Sequence, residues 1–270
     1  MQKDELLNRR AFLIGGAAAA RALRAMPTSP ACTLTAEQEE GPYYVDYDKV
    51  RSDITEGKPG LPLRLRVALM HAKRCEPLSN VSLDIWHCDA GGIYSGFTAN
   101  HPTGPGGRGG FPPGSPPSGD FGPPPPPLHH AALDATRFLR GLQTTDDRGT
   151  AEFATIYPGW YLGRAIHIHL KVHAGGHVIH TGQLFFPEEI TARIAQLQPY
   201  AKHQEVHRTT QDEDGVFESQ HGAAGMLTLN SVDTKSDAGG FVATVTLAVD
   251  PEAVPEPVSM RGPGLPRAER

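Results

Sequence analysis

The segment YPGWYLGRAIHIHLKVH, Tyr157 to His173, places His167, His169 and His173 on one alternating register and Ile166, Ile168, Leu170 and Val172 on the other. Alternate side chains of a strand point to opposite faces, so the apolar register is the buried face of a strand. The histidine register needs another explanation, because a solvated face more usually carries Lys, Thr, Glu or Ser. Residues i and i+2 lie on one face with Cα atoms roughly 6.5 Å apart, and two imidazoles so placed can converge on one metal ion. A His-x-His pair suits Zn, Cu, Fe or Ni. Two tyrosines narrow that choice. Pro158-Gly159 forces a turn that ends in Tyr161, and Tyr94 follows the Gly91-Gly92 turn at the end of another strand. A free phenol ionises only near pH 10 or so, and a strongly Lewis-acidic ion is needed to hold it as phenolate at neutral pH. Fe(III) meets that need better than Zn(II) or Mg(II). Tyr157 competes with Tyr161, but Pro158 follows it directly, which biases Tyr157 to extended backbone on the preceding strand. Arg164 shares parity with the buried register and needs a twist or bulge near Gly163 to reach the histidine face. His173 lies beyond the pair, on the surface or behind the site, and His177 and His180 flank the next turn.

These residues need rigid strands on several sides. Leu63, Leu65, Val67 and Leu69 alternate with polar or small residues, as do Val81, Leu83 and Ile85, and each set predicts a half-buried strand. The stretch RFLRGLQTTDDRGTAEFATIYPG predicts a hairpin, two strands about the turn Asp146 to Gly149. HVIHTGQLFF, GMLTLNSV and GFVATVTLAVD predict three more strands. PEEITARIAQLQPYA opens on Pro187 and two glutamates and carries Ile190, Ile194 and Leu197 at helical spacing, which predicts a short helix. The expected fold is mainly β: an antiparallel β-sandwich with long loops and one or two short helices, in a single domain over 32–250. The Gly/Pro-rich insertion at about 99–128 includes five consecutive prolines, Pro123 to Pro127, and cannot be core. It reads as a surface loop, either beside the mouth of a site or as low-complexity insertion. The tail 251–270 is Pro-rich.

The chain has 270 residues, a formal net charge of −5, 30 glycines and 25 prolines. The glycines and prolines favour short strands and turns over long helices, and the mild acidity excludes a nucleic-acid footprint. Residues 1–31 read as a twin-arginine export signal and linker, with Arg9-Arg10 ahead of Phe12, Leu13, Ile14 and a Gly/Ala run. That places the mature chain in the periplasm or outside the cell. Three cysteines, Cys32, Cys75 and Cys88, fit an oxidising compartment with one disulfide and one free thiol. Cys32 with Cys75 is the preferred pair because both sit outside strand interiors. No close Cys-x-x-Cys spacing supports a structural zinc site.

EGPYY (Glu40 to Tyr44), DIWHCDAGGIYSGF (Asp84 to Phe97), FLRGLQTTD (Phe138 to Asp146), TIYPGWYLGRAIHIH (Thr155 to His169) and QLFF (Gln183 to Phe186) together carry a resemblance. The chain resembles the intradiol ring-cleavage dioxygenases, in their protocatechuate 3,4-dioxygenase-like branch, over most of Leu34 to Asp250. The resemblance implies a β-sandwich holding non-haem Fe(III) through Tyr94, Tyr161, His167 and His169. It implies that Arg164 and Gln183 face the substrate, and that an incoming catechol displaces Tyr161, which takes up a proton. The implied reaction splits a catechol between its hydroxylated carbons with O2, giving a cis,cis-muconate-type diacid. The partners implied are a catecholic small molecule and O2, with a homo-oligomer allowed and no stable membrane span after signal removal. The chain departs from better-known members in its export signal, its Gly/Pro insertion, and its lack of room for a helical N-terminal dimerisation segment. A non-catalytic secreted sandwich that binds catecholic or metal-chelating ligands is the alternative, and a zinc hydrolase lacks the usual His/carboxylate set.

Overall fold

The computed structural model describes residues 32–46, 49–99, 131–233 and 236–258. The expected export signal at 1–31, the Gly/Pro insertion beyond Ala99 and the end of the Pro-rich tail lie outside the described residues. The strands are β1 (Pro62–His71), β2 (Ser82–Trp86), β3 (Arg140–Thr144), β4 (Thr150–Ile156), β5 (His167–Ala174), β6 (His177–Phe185), β7 (Thr228–Asp233) and β8 (Ser236–Val249). They form two four-stranded sheets, in the orders β4-β1-β8-β7 and β3-β2-β5-β6. Two short helices follow β6: α1 (Glu188–Ile194) and α2 (Gly215–Ser219). Among the described residues no helix is long and apolar enough to cross a membrane.

The alternating apolar positions of the sequence meet between the sheets. Leu63, Leu65, Val67 and Leu69 of β1 and Phe241, Ala243 and Leu247 of β8 pack against Leu83 and Ile85 of β2 and Ile168, Leu170 and Val172 of β5. Burying each large aliphatic side chain contributes about 1.5–3 kcal/mol, so the layer between the sheets is the main hydrophobic contribution to the fold. The sandwich is therefore as expected, with two differences. β1 and β8 pair in parallel, Leu63 opposite Phe241, so one sheet is mixed rather than antiparallel. The expected hairpin also does not form. The turn itself is present: Asp146 Oδ1 accepts from Arg148 N at 2.9 Å and Thr150 N at 2.8 Å. Beyond it β3 pairs with β2 in one sheet and β4 with β1 in the other, so the turn is an arch between layers. Turn residues dictate a chain reversal. Which edge each strand then joins is set by β1 and β2, which precede them.

β5 departs from the half-buried pattern of an exposed sheet face, since all six residues from His167 to Val172 are buried. Its outer face, with His167, His169 and Lys171, lies under a second aromatic cluster of Tyr44, Trp86, Cys88, Tyr94 and Phe97. The N-terminal segment 35–45 straps across the same face. Gln38 N donates to Thr181 O at 2.9 Å, Thr181 N to Glu37 Oε2 at 2.8 Å, and Gln183 N to Gln38 Oε1 at 2.7 Å. A Cys32–Cys75 disulfide anchors the start of the strap, with Cα atoms 5.4 Å apart, and Cys88 is left as a buried free thiol.

Candidate metal centre

His167 and His169 project from β5 into the space between sheet and strap. His169 stands opposite Trp86 on β2 and Gln183 on β6. The Trp86 indole lies flat on its ring, with centroids 4.9 Å apart and planes 4° from parallel, which fixes the imidazole's orientation. His167 Nδ1 sits 2.6 Å from Ala165 O. A carbonyl only accepts, so Nδ1 carries the hydrogen and Nε2 is left with its lone pair. The two Nε2 atoms are 2.9 Å apart, and His169 Nδ1 is buried without a hydrogen-bond partner. Burial holds both imidazoles well below their ordinary value for protonation. Both are therefore neutral at physiological pH, the state in which imidazole binds a metal.

The tyrosines arrive on two turns that are bonded to each other. Asp89 Oδ1 accepts from Gly91 N at 2.9 Å and Ile93 N at 3.0 Å, which shapes the turn before Tyr94. Asp89 O accepts from Gly159 N at 3.0 Å, joining that turn to the one before Tyr161. Tyr161 Oη and Tyr94 Oη come within 3.2 Å and 3.5 Å of His167 Nε2. Burial raises both phenols above their ordinary value. Tyr157 points elsewhere: it is fully buried among core residues between the sheets, with its hydroxyl 2.7 Å from Thr191 Oγ1.

This donor set fits a metal ion. Two nitrogens each about 2.1 Å from one ion, at right angles, stand roughly 3.0 Å apart, close to the spacing of the two Nε2 atoms. Among the described residues no group of three or more His, Cys, Asp or Glu side chains could hold a metal, so the set closes only with the phenols. Phenolate oxygens favour a hard, highly charged ion, and a bound cation is what could offset burying their charge.

Arg164 reaches the site because it is not on the strand. Tyr161 and Arg164 close a tight turn with Gly163 at φ +92°, and β5 begins only at His167. Arg164 Nη2 donates to Gln183 Oε1, and Gln183 Nε2 donates to Glu39 O at 2.9 Å. Three contributors were not singled out from the sequence. Asp214, fully buried, accepts from Arg164 Nε with both carboxylate oxygens at 3.1 Å and from Ala165 N at 3.0 Å. It also caps α2, accepting from Val216 N at 2.9 Å; the Asp214-Gly215 pair was the only local signal. Glu39 Oε1 lies 3.6 Å from Arg164 Nη1. Gly41 passes so close that a Cβ there would stand 3.0 Å from His169 Cε1, and its φ of +76° also suits glycine. His177 opens β6 after the turn as expected, whereas His180 lies deeper and bonds Glu37 Oε1 through Nδ1 at 2.7 Å.

No protein-family model matches the chain, and no curated protein does. In three dimensions the chain is similar to an intradiol ring-cleavage dioxygenase from Tetranychus urticae, with a TM-score of 0.67 and 32% identity over 82% of this chain and 96% of that one. It is also similar to the dioxygenase domain of a dioxygenase and carbohydrate-binding fusion from Streptomyces sp. SirexAA-E, at TM-score 0.52 and 25% identity over 80% and 98% of the two chains. Hydroxyquinol 1,2-dioxygenase from Pseudomonas putida DLL-E4 shares the fold at TM-score 0.51 and 16% identity, over 81% of this chain and 68% of that one.

Proposed function

The chain belongs to the intradiol ring-cleavage dioxygenases, a family of oxidoreductases, and on that premise we propose that it holds Fe(III) through Tyr94, Tyr161, His167 and His169 and uses O2 to cleave a catechol between its hydroxylated carbons, giving a cis,cis-muconate-type diacid. The observation that carries this reading is the convergence of the neutral His169 imidazole and the Tyr94 and Tyr161 phenols within 3.5 Å of Nε2 of the neutral His167. Bound Fe(III) would supply the Lewis acidity that keeps the phenols ionised and draws electron density from a chelated catechol.

The chain's own groups do the rest. Tyr161 is only partly buried while Tyr94 is enclosed, so Tyr161 Oη is the phenol a catechol can reach. Released by an incoming catechol, the Tyr161 phenolate can take a catechol proton at Oη. Gln183 and Asp214 hold the Arg164 guanidinium from two sides. In that position it stabilises negative charge developing on the ring. Tyr44, Trp86 and Phe97 pack with Tyr94 as an apolar wall beside the donor cluster.

Iron-replete protein is expected to be red-brown through a phenolate-to-metal charge-transfer band, and to consume O2 with a catechol. His169→Ala should lose most of its iron and activity yet unfold cooperatively, and Tyr161→Phe should keep iron with a shifted band. Colourless protein, iron-free after growth in iron-rich medium and equally active in His169→Ala, would sink the reading. We also propose that Arg9-Arg10 directs export. The Cys32–Cys75 disulfide supports an oxidising destination.

A further inference from the structure

We infer that this site selects catechols whose ring substituents are uncharged and turns away those with a ring carboxylate, and that Glu39 sets the preference. The inference rests on the proposed catechol chemistry of the same site. Glu39 belongs to the strap where it lies on the cluster. Two residues later Gly41 passes close enough to His169 that a Cβ would crowd its ring, and beyond it Tyr43 stacks on the Tyr94 ring with centroids 4.7 Å apart. The Glu39 backbone is pinned on both sides: its N donates to Gln220 Oε1 at 2.8 Å and its O accepts from Gln183 Nε2 at 2.9 Å. Its carboxylate is thereby held 3.6 Å from Arg164 Nη1, and both side chains keep some exposure, 16% and 12%.

A carboxylated ring would need a cation to receive its second charge, and the cations beside the cluster are either paired with carboxylates or closed to solvent. Arg164 is bound by both oxygens of Asp214 and faced by Glu39. Lys171 pairs with Glu40 at 2.5 Å and lies over the Tyr44 ring. Arg140 donates only to the neutral Ser95 Oγ at 2.8 Å and Ser95 O at 2.7 Å and its Nη1 has no partner, but it is 2% exposed and so closed to an entering ligand. Among the described residues, a second negative group entering past Arg164 meets the Glu39 carboxylate first, while Arg140 is shut away at 2% exposure. Like charges placed together in a partly desolvated site reject a ligand, whereas a neutral substituent of the same shape meets no such penalty.

The test is anaerobic titration calorimetry on iron-loaded protein with 3,4-dihydroxybenzoate, its methyl ester and 4-methylcatechol. The ester and 4-methylcatechol should bind at least about tenfold tighter than the acid. Raising the salt from about 0.05 to 0.5 M should narrow the gap, because screening weakens repulsion between partly exposed charges. Glu39→Gln should narrow it by at least about threefold. A purely structural role for Glu39 would weaken all three ligands alike and leave their ratios unchanged. Acid binding as tightly as ester in the intact chain overturns the inference, as does an unchanged ratio in Glu39→Gln. Should that variant not fold, the acid–ester gap and its salt dependence in the intact chain decide alone. Failure of every catechol to bind or be cleaved refutes the proposed function instead; binding and cleavage with no acid–ester gap refutes only this inference.

Discussion

Asp214 is the residue on which Arg164 depends most, and replacing it gives a measurable cost. Its carboxylate has no solvent exposure and accepts two hydrogen bonds from Arg164 Nε, both at 3.1 Å, one from Ala165 N at 3.0 Å, and those of the α2 cap. Asp214→Ala removes all of them and leaves a nearly buried guanidinium with Glu39 at 3.6 Å as its remaining carboxylate. Breaking a buried ion pair by deleting one partner costs about 3–5 kcal/mol. Loss of the helix cap adds about 1 kcal/mol. A domain of this size loses about 2–4 °C of Tm per kcal/mol, so the variant should melt roughly 8–24 °C lower. Asp214→Asn keeps a cap acceptor and loses the charge, so it should be the milder variant by about 1 kcal/mol. Thermal unfolding of both variants measures this. In the same preparations kcat/KM for a catechol should fall by about tenfold to a hundredfold, because the guanidinium is no longer aimed, while iron per chain stays at the parent level. A Tm within about 2 °C of the parent in both variants would refute the ion-pair argument. Activity falling only in step with lost iron would show that Asp214 serves the metal site rather than Arg164.

Three further outcomes follow from the same structure. Burial lowers the His87 imidazole to about 4 for protonation, so between about pH 6.5 and 4 the unfolded chain binds a proton that the folded chain refuses. Stability should therefore fall as pH falls through that window, and His87→Gln should remove up to roughly 3 kcal/mol of that fall; urea unfolding at several pH values checks it, and an identical pH profile in the variant would count against it. Gly41→Ala forces a side chain into left-handed backbone against His169, so iron affinity should drop, with about 1 kcal/mol or more lost in stability; metal analysis showing parent-level iron retention after mild chelation would contradict this. Replacing Arg9 and Arg10 with lysine should strand the precursor in the cytoplasm, and normal amounts of mature protein outside it would exclude the twin-arginine route.

How much of this was legible in the sequence depends on the range over which each feature is decided. The alternation from Ile166 to His173 is local: a strand has a period of two, so His167 and His169 had to share a face and Ile168 and Leu170 the other. The sandwich followed from the same periodicity in β1, β2 and β8. The Asp146 turn was also local and is present. Its expected hairpin is absent, because strand partners are chosen among distant segments that no local pattern ranks. The parallel pairing of β1 with β8 was hidden for the same reason. Around the metal centre the division is similar. The Pro158-Gly159 and Gly91-Gly92 turns marked Tyr161 and Tyr94, and the need for a bend at Gly163 was visible from Arg164's parity. What the tertiary structure alone decided is which charges meet there. Glu39 comes from a strap far upstream and Asp214 from a cap far downstream, and neither sits in a pattern of its own. Both reach Arg164 because β5 is covered on its outer face, and a guanidinium enclosed there needs carboxylates that only the folded chain can bring to it.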